Sequence, residues 1–118
     1  MPKLFENCLF CKAVRGELPI KKLYEDEEVL GFADAHPQAP LHALFIPKRH
    51  VANADALTEA DGPLVGRLAW AAASLARQQG HADKGYRLVL NCNAHGGQTV
   101  FHLHLHLLAG RPMAWPPG

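Results

Sequence analysis

Residues 102–108 read His102-Leu103-His104-Leu105-His106-Leu107-Leu108. Polar and apolar residues alternate with period two, the side-chain period of a β-strand. On such a strand Leu103, Leu105 and Leu107 face a core. His102, His104 and His106 then form a row on the other face, spaced roughly 7 Å apart at a rise of ~3.3–3.4 Å per residue. Three imidazolium charges in a row repel one another, so near neutral pH some of the rings are neutral. A neutral imidazole is a nucleophile, a general base or a metal ligand. The row alone leaves those roles open, alongside the plainer reading of three solvent-facing polar residues on a half-buried strand.

The remaining pattern builds an α+β fold around that strand. A short helix is expected over 8–15, capped by Asn7 and stopped by Gly16. Strands follow over 22–24, 29–33 and 42–46, the last ended by Pro47. Leu64, Leu68, Ala71, Ala72, Leu75 and Ala76 keep helical spacing up to Gly80, with Thr58 or Asp61 as cap and Pro63 in the first turn. Two more strands are expected over 86–91 and 100–108, split by a turn over 93–99. The result is a five-stranded, mostly antiparallel sheet with one long and one short helix. Residues 110–118 hold three prolines and read as extended. A chain of 118 residues suits one domain, 1–118.

Composition removes several classes of function. At 48% apolar and 19% charged the chain is not disordered, and its net charge of +1, without a basic cluster, speaks against binding a nucleic-acid backbone. The longest apolar run, 68–73, is too short to span a membrane, and residues 1–6 turn polar too early for a secretory signal. The cytosol is the expected compartment. There Cys8-x-x-Cys11 suggests metal binding or redox chemistry, and the odd count with Cys92 does not suit a disulfide framework.

Other residues can serve the histidine row. Gly96-Gly97-Gln98-Thr99 precedes it; two glycines offer bare N–H groups to an anion, although such a turn is more often only a hairpin turn. Asp34 ends a strand. It either caps a turn or accepts ribose hydroxyls, as acidic residues do in other nucleotide folds. Phe10 and Phe32 can wall a base slot or simply fill the core. His36, His81 and His95 read as surface residues, with His95 nearest the glycine turn.

Together these residues resemble the histidine-triad (HIT) nucleotide-binding proteins, in the Hint branch. The seven positions 102–108 match that family's His-φ-His-φ-His-φ-φ motif in full, and segments from Cys8 to the closing Trp115-Pro116-Pro117-Gly118 resemble Hint segments in order. The resemblance implies a homodimer that hydrolyses purine nucleoside phosphoramidates such as AMP–amine conjugates. By position, His104 would be the nucleophile, forming a nucleotidyl-histidine intermediate. His106 would bind the phosphate and leaving-group side, with His102 and His42 orienting the imidazoles. Asn91, Gly97, Gln98 and Thr99 would hold phosphate oxygens and the leaving group. Asp34 would take the ribose, with Phe10, Leu18 and Phe32 near the base. Trp115, in a segment at the dimer and active site, would approach the neighbouring subunit's site. Some bacterial-type relatives hold zinc at positions matching Cys8, Cys11, His50 and His102, which implies a structural zinc. Ala33 and Ala35 depart from the bulkier residues often found beside the ribose aspartate in the family and would widen the base slot. A dinucleoside polyphosphate hydrolase and a non-enzymatic nucleotide- or zinc-binding adaptor are the alternatives.

Overall fold

The computed structural model describes residues 7–118, so the reading of residues 1–6 lies outside it. The chain runs α1 (Leu9–Val14), β1 (Lys22–Glu25), β2 (Val29–Ala33), β3 (Leu41–Pro47), two 3₁₀ turns (Ala54–Ala56 and Glu59–Asp61), α2 (Gly62–Gln78), β4 (Tyr86–Val89), α3 (Asn93–Gly96) and β5 (Leu105–Ala109). The five strands form one sheet in the order β1-β2-β3-β5-β4, with every neighbouring pair antiparallel. Among the described residues, strands β1 and β4 are therefore its edges.

Each face of the sheet has its own core. On one side α2 packs Leu64, Leu68, Ala71, Ala72, Leu75 and Ala76 against Val29, Ala43, Phe45, Leu103, Leu105 and Leu107. The alanines let the helix approach the strands closely, and all six helix positions named from spacing are buried. On the other side Phe10 and Ala13 of α1 pack on Leu30, Phe32, Leu44 and Ile46. The period of two in β3 divides its side chains between these layers: Ala43 and Phe45 face α2, Leu44 and Ile46 face α1. The three leucines of the histidine segment lie in the α2 core, as their alternation requires. Among the described residues, no helix is long and apolar enough to cross a membrane.

Three local expectations need correction. Cys8, not Asn7, caps α1; its sulfur accepts the Cys11 N–H at 3.3 Å. The stretch over 93–99 is not a bare turn: it opens with a one-turn helix, Asn93–Gly96, closed by Gly97 in the left-handed region at φ +81°. The histidine strand begins at Leu105 rather than at residue 100. Its ladder to β3 ends at the Phe45–Leu105 pair, and next to it Pro47 has no N–H to give. The Pro47 carbonyl is taken by the His102 ring, and the His102 carbonyl by the His104 ring. The segment over 100–104 thus leaves the ladder, with the Leu103 N–H donating to the Val51 carbonyl at 2.6 Å and the His102 carbonyl going to a ring. Both cap candidates for the long helix are used: Thr58 and Asp61 form a capping box on the preceding 3₁₀ turn, and Asp61 is also the N-cap of α2.

Candidate active site

His102 and His104 lie against Phe10 of α1, His106 lies on β5 beside His42, and hydrogen-bond partners assign the protons of the row. A carbonyl only accepts, so the 2.8 Å contact from His104 Nδ1 to the His102 carbonyl is an Nδ1–H donor. In its neutral form His104 therefore keeps its lone pair on Nε2. The ring is buried, held edge-on by Phe10 at a centroid distance of 5.2 Å and by His106 at 5.1 Å. His106 is wired from behind. The Gln38 N–H donates to His42 Nδ1 at 3.0 Å, which leaves the proton of neutral His42 on Nε2. That Nε2–H meets His106 Nδ1 at 2.9 Å, with Asp34 Oδ2 at 3.3 Å. His106 Nδ1 must then accept, and the His106 proton sits on Nε2.

Burial pushes the His106 pKa down to about 4, assisted by the neighbouring His104 and His42 and opposed by Asp34. Burial likewise lowers His42, against the pull of Asp34. Both rings are neutral at pH 7, as the wiring requires. For His106 desolvation is thus the main cause of the neutral ring, with repulsion by its histidine neighbours second.

A cleft of about 680 Å³ opens in front of His104 and His106. Of the residues expected to bind nucleotide, Phe10, Leu18, Phe32, Asp34, Asn91, Gly97 and Thr99 line it. Two do not. Gln98 is buried and consumed internally: its Oε1 accepts from Asn93 N–H at 2.8 Å, and its Nε2 donates to Ala52 O at 2.8 Å and Val100 O at 3.1 Å. Its amide is a staple for the glycine turn. Trp115 is 83% exposed on the extended C-terminal segment and does not line this cleft. Leu9, Ile20, Lys21, Ala33, Ala35, His36 and Leu44 also line the cleft. His36, read as a plain surface residue, is thus at its wall, whereas His95 is exposed on α3 and away from it. Asp34 is oriented by the His36 N–H, which donates to its Oδ1 at 2.8 Å.

Beside the cleft, Cys8, Cys11, His50 and His102 bring four ligand atoms within 4.8 Å of one another. The sulfur-to-nitrogen edges are 3.3 Å (Cys8–His102), 3.4 Å (Cys11–His50) and 3.5 Å (Cys11–His102). A tetrahedral ion with Zn–S of about 2.3 Å and Zn–N of about 2.0–2.1 Å has edges of about 3.6 Å. The His102 tautomer also fits: Nε2–H donates to the Pro47 carbonyl at 2.8 Å, which aims the Nδ1 lone pair at the cysteines. None of the three cysteines is in a disulfide. Asp34, His42 and His106 also lie within ligand distance of one another. The Gln38 bond argues against a cation there, since it keeps the His42 proton on the Nε2 that a metal would need.

A buried histidine row over a cleft, backed by a second histidine and faced by an aspartate and a glycine turn on a five-stranded antiparallel sheet, is the architecture of histidine-triad hydrolases. The family model described as scavenger mRNA decapping enzyme C-terminal binding matches residues 7–114. The chain is 43% identical over 108 residues to the purine nucleoside phosphoramidase of Escherichia coli K12, covering 92% of this chain and 91% of that one. The crystal structure of a HIT family hydrolase from Legionella pneumophila superposes with a TM-score of 0.93 at 49% identity, covering 95% of this chain and all of that one. A Zn-bound histidine triad family protein from Mycobacterium smegmatis superposes with a TM-score of 0.77 at 32% identity, covering 89% of this chain and 76% of that one. The chain belongs to the histidine-triad family and is a hydrolase.

Proposed function

We propose that this protein hydrolyses purine nucleoside phosphoramidates of the AMP–amine type through a covalent nucleotidyl-histidine intermediate on His104. The observation that carries the reading is the 2.8 Å bond from His104 Nδ1–H to the His102 carbonyl, which leaves Nε2 as the nucleophilic lone pair beside the cleft. Nε2 attacks the α-phosphorus, the P–N bond breaks and the amine departs with a proton. Water then attacks the same phosphorus, the P–Nε2 bond breaks and the nucleoside monophosphate leaves. Two displacements replace one slow hydrolysis. His106 Nε2–H and the backbone around Gly97 to Thr99, with Asn91, donate to the phosphate oxygens where charge develops. Asp34 accepts the ribose hydroxyls, and Phe10, Leu18 and Phe32 flank the base. The identity to a phosphoramidase over nine-tenths of both chains supports this substrate class.

The Cys8–Cys11–His50–His102 cluster we assign to a zinc ion, supported by its edge lengths and by the Zn-bound relative. Four protein ligands close the shell, so the ion would fix His102 and take no part in the chemistry. The reduced thiols suit the cytosol. The chain acts as one domain, paired as a homodimer in which the 110–118 segment brings Trp115 to the partner's site. The open edge at β4 and the exposed Leu88 and Trp115 support that pairing.

The test is mass spectrometry of the protein mixed with adenosine 5′-phosphoramidate, alongside turnover. A mass increment of one adenylyl group on His104, absent with turnover lost in His104→Ala, is expected. Faster turnover of a diadenosine polyphosphate than of the phosphoramidate would replace this substrate class, and nucleotide binding with no turnover of either would make the protein an adaptor.

A further inference from the structure

The wiring behind His106 does not end at His42. Gln38, whose N–H sets the His42 tautomer, is itself clamped from the far side. Arg111 donates to the Gln38 carbonyl from Nε at 3.1 Å and from Nη2 at 3.0 Å, while its Nη1 reaches the Pro112 carbonyl at 3.0 Å. Only a guanidinium offers such a fork of donors. Gly110 permits the approach: its φ is +100°, and a Cβ there would stand 2.8 Å from the Pro40 Cβ. A glycine at this point lets the end of β5 press on the loop that carries Gln38.

We propose that Arg111 is a positioning residue, which by holding Gln38 decides which nitrogen of His106 carries the proton facing the cleft. Four groups act in series. Arg111 holds the Gln38 carbonyl, the Gln38 N–H occupies His42 Nδ1, His42 Nε2–H occupies His106 Nδ1, and His106 keeps its proton on Nε2. If Gln38 drifts, the pair has a second arrangement with the same two protons. His42 then carries its proton on Nδ1, His106 donates Nδ1–H back to His42 Nε2, and His106 turns a bare Nε2 to the cleft. No ionisation is needed, so hydrogen bonds alone set the balance. Asp34 Oδ2, 3.3 Å from His42 Nε2, favours the first arrangement too. A ribose on Asp34 would divert that carboxylate, leaving the Gln38 bond to hold the tautomer. Under the proposed function, a phosphate oxygen beside His106 needs the donor and is repelled by the lone pair. That consequence rests on the functional reading; the proton positions do not.

Nitrogen-15 spectroscopy of the imidazoles in full-length protein at neutral pH reads the tautomers without substrate. His42 and His106 are expected as single Nε2–H forms. In Arg111→Ala, Nδ1–H populations should appear in both rings together, with kcat down about three- to tenfold, the worth of one hydrogen bond, and KM within about twofold. Gly110→Ala, whose Cβ would push against Pro40 in the loop that carries Gln38 with the arginine intact, should shift them in the same direction. Arg87→Ala is the control: Arg87 holds the C-terminal segment at the Ala114 carbonyl without touching Gln38, and its loss should leave both tautomers alone. Unchanged tautomers in Arg111→Ala, or an equal change in Arg87→Ala, would overturn the proposal. A tautomer shift in a protein whose wild type turns over no phosphoramidate would sink the proposed function and keep this inference.

Discussion

Gln98 offers the sharpest division between a ligand and a staple. By family position its amide would meet a phosphate; in the fold it ties three backbone groups together, at Asn93, Ala52 and Val100. Gln98→Ala removes three part-buried hydrogen bonds at a net of about 0.5–1.5 kcal/mol each, so the expected loss is about 2–4 kcal/mol of unfolding free energy. Gln98→Glu should cost more. The new carboxylate would set an oxygen against the two carbonyls that now receive the Nε2 protons, at 2.8 and 3.1 Å. Burial beside two acceptors raises the pKa of that introduced carboxyl in the folded state. The Glu variant should therefore regain stability relative to wild type as pH falls and the carboxyl protonates. Urea unfolding at fixed protein concentration across pH 5–8 measures both variants, with nucleotide affinity taken in parallel. A Gln98→Ala protein of wild-type stability and weakened nucleotide binding would refute the staple and restore the ligand role.

Two further outcomes follow from the titrating and ligating groups. A His106 pKa of about 4 in the fold against 6.5 for the free side chain means that the unfolded chain binds more protons between those values; stability should be flat above pH 6.5 and fall on acidification toward 4, by up to about 1.4 kcal/mol per pH unit for this one ring, measured by denaturant titration. Stripping metal with a chelator, or Cys11→Ser, should remove about one equivalent of zinc by elemental analysis and lower the melting temperature; unchanged melting in metal-free protein would refute a structural ion.

What could be read from the sequence depended on whether the information lay in side-chain type. The alternation from His102 to Leu107 announces two faces because histidine and leucine differ so sharply, and the core bears it out. The helix facing the sheet was legible from Leu64 to Ala76 for the same reason. Asp34, Phe10, Leu18 and Phe32 all reach the cleft. Where the histidine strand begins was not legible, because the carbonyls that would have extended the ladder go instead to the His102 and His104 rings. Gln38 had no signal at all: the group that matters is its N–H, which every residue but proline carries. Gln98 misled for the opposite reason, since an amide beside a glycine turn looks alike whether it greets a ligand or its own backbone.

His102 serves two neighbours with different parts of itself. Its ring belongs to the cysteine corner, and its carbonyl steadies the ring of His104. Torque applied at the thiols is therefore delivered to the His104 ring, the proposed nucleophile, across a single residue. Damage to Cys8 or His50, neither of which lines the cleft, would register at the bench as poor chemistry and be mistaken for a lost reactive group.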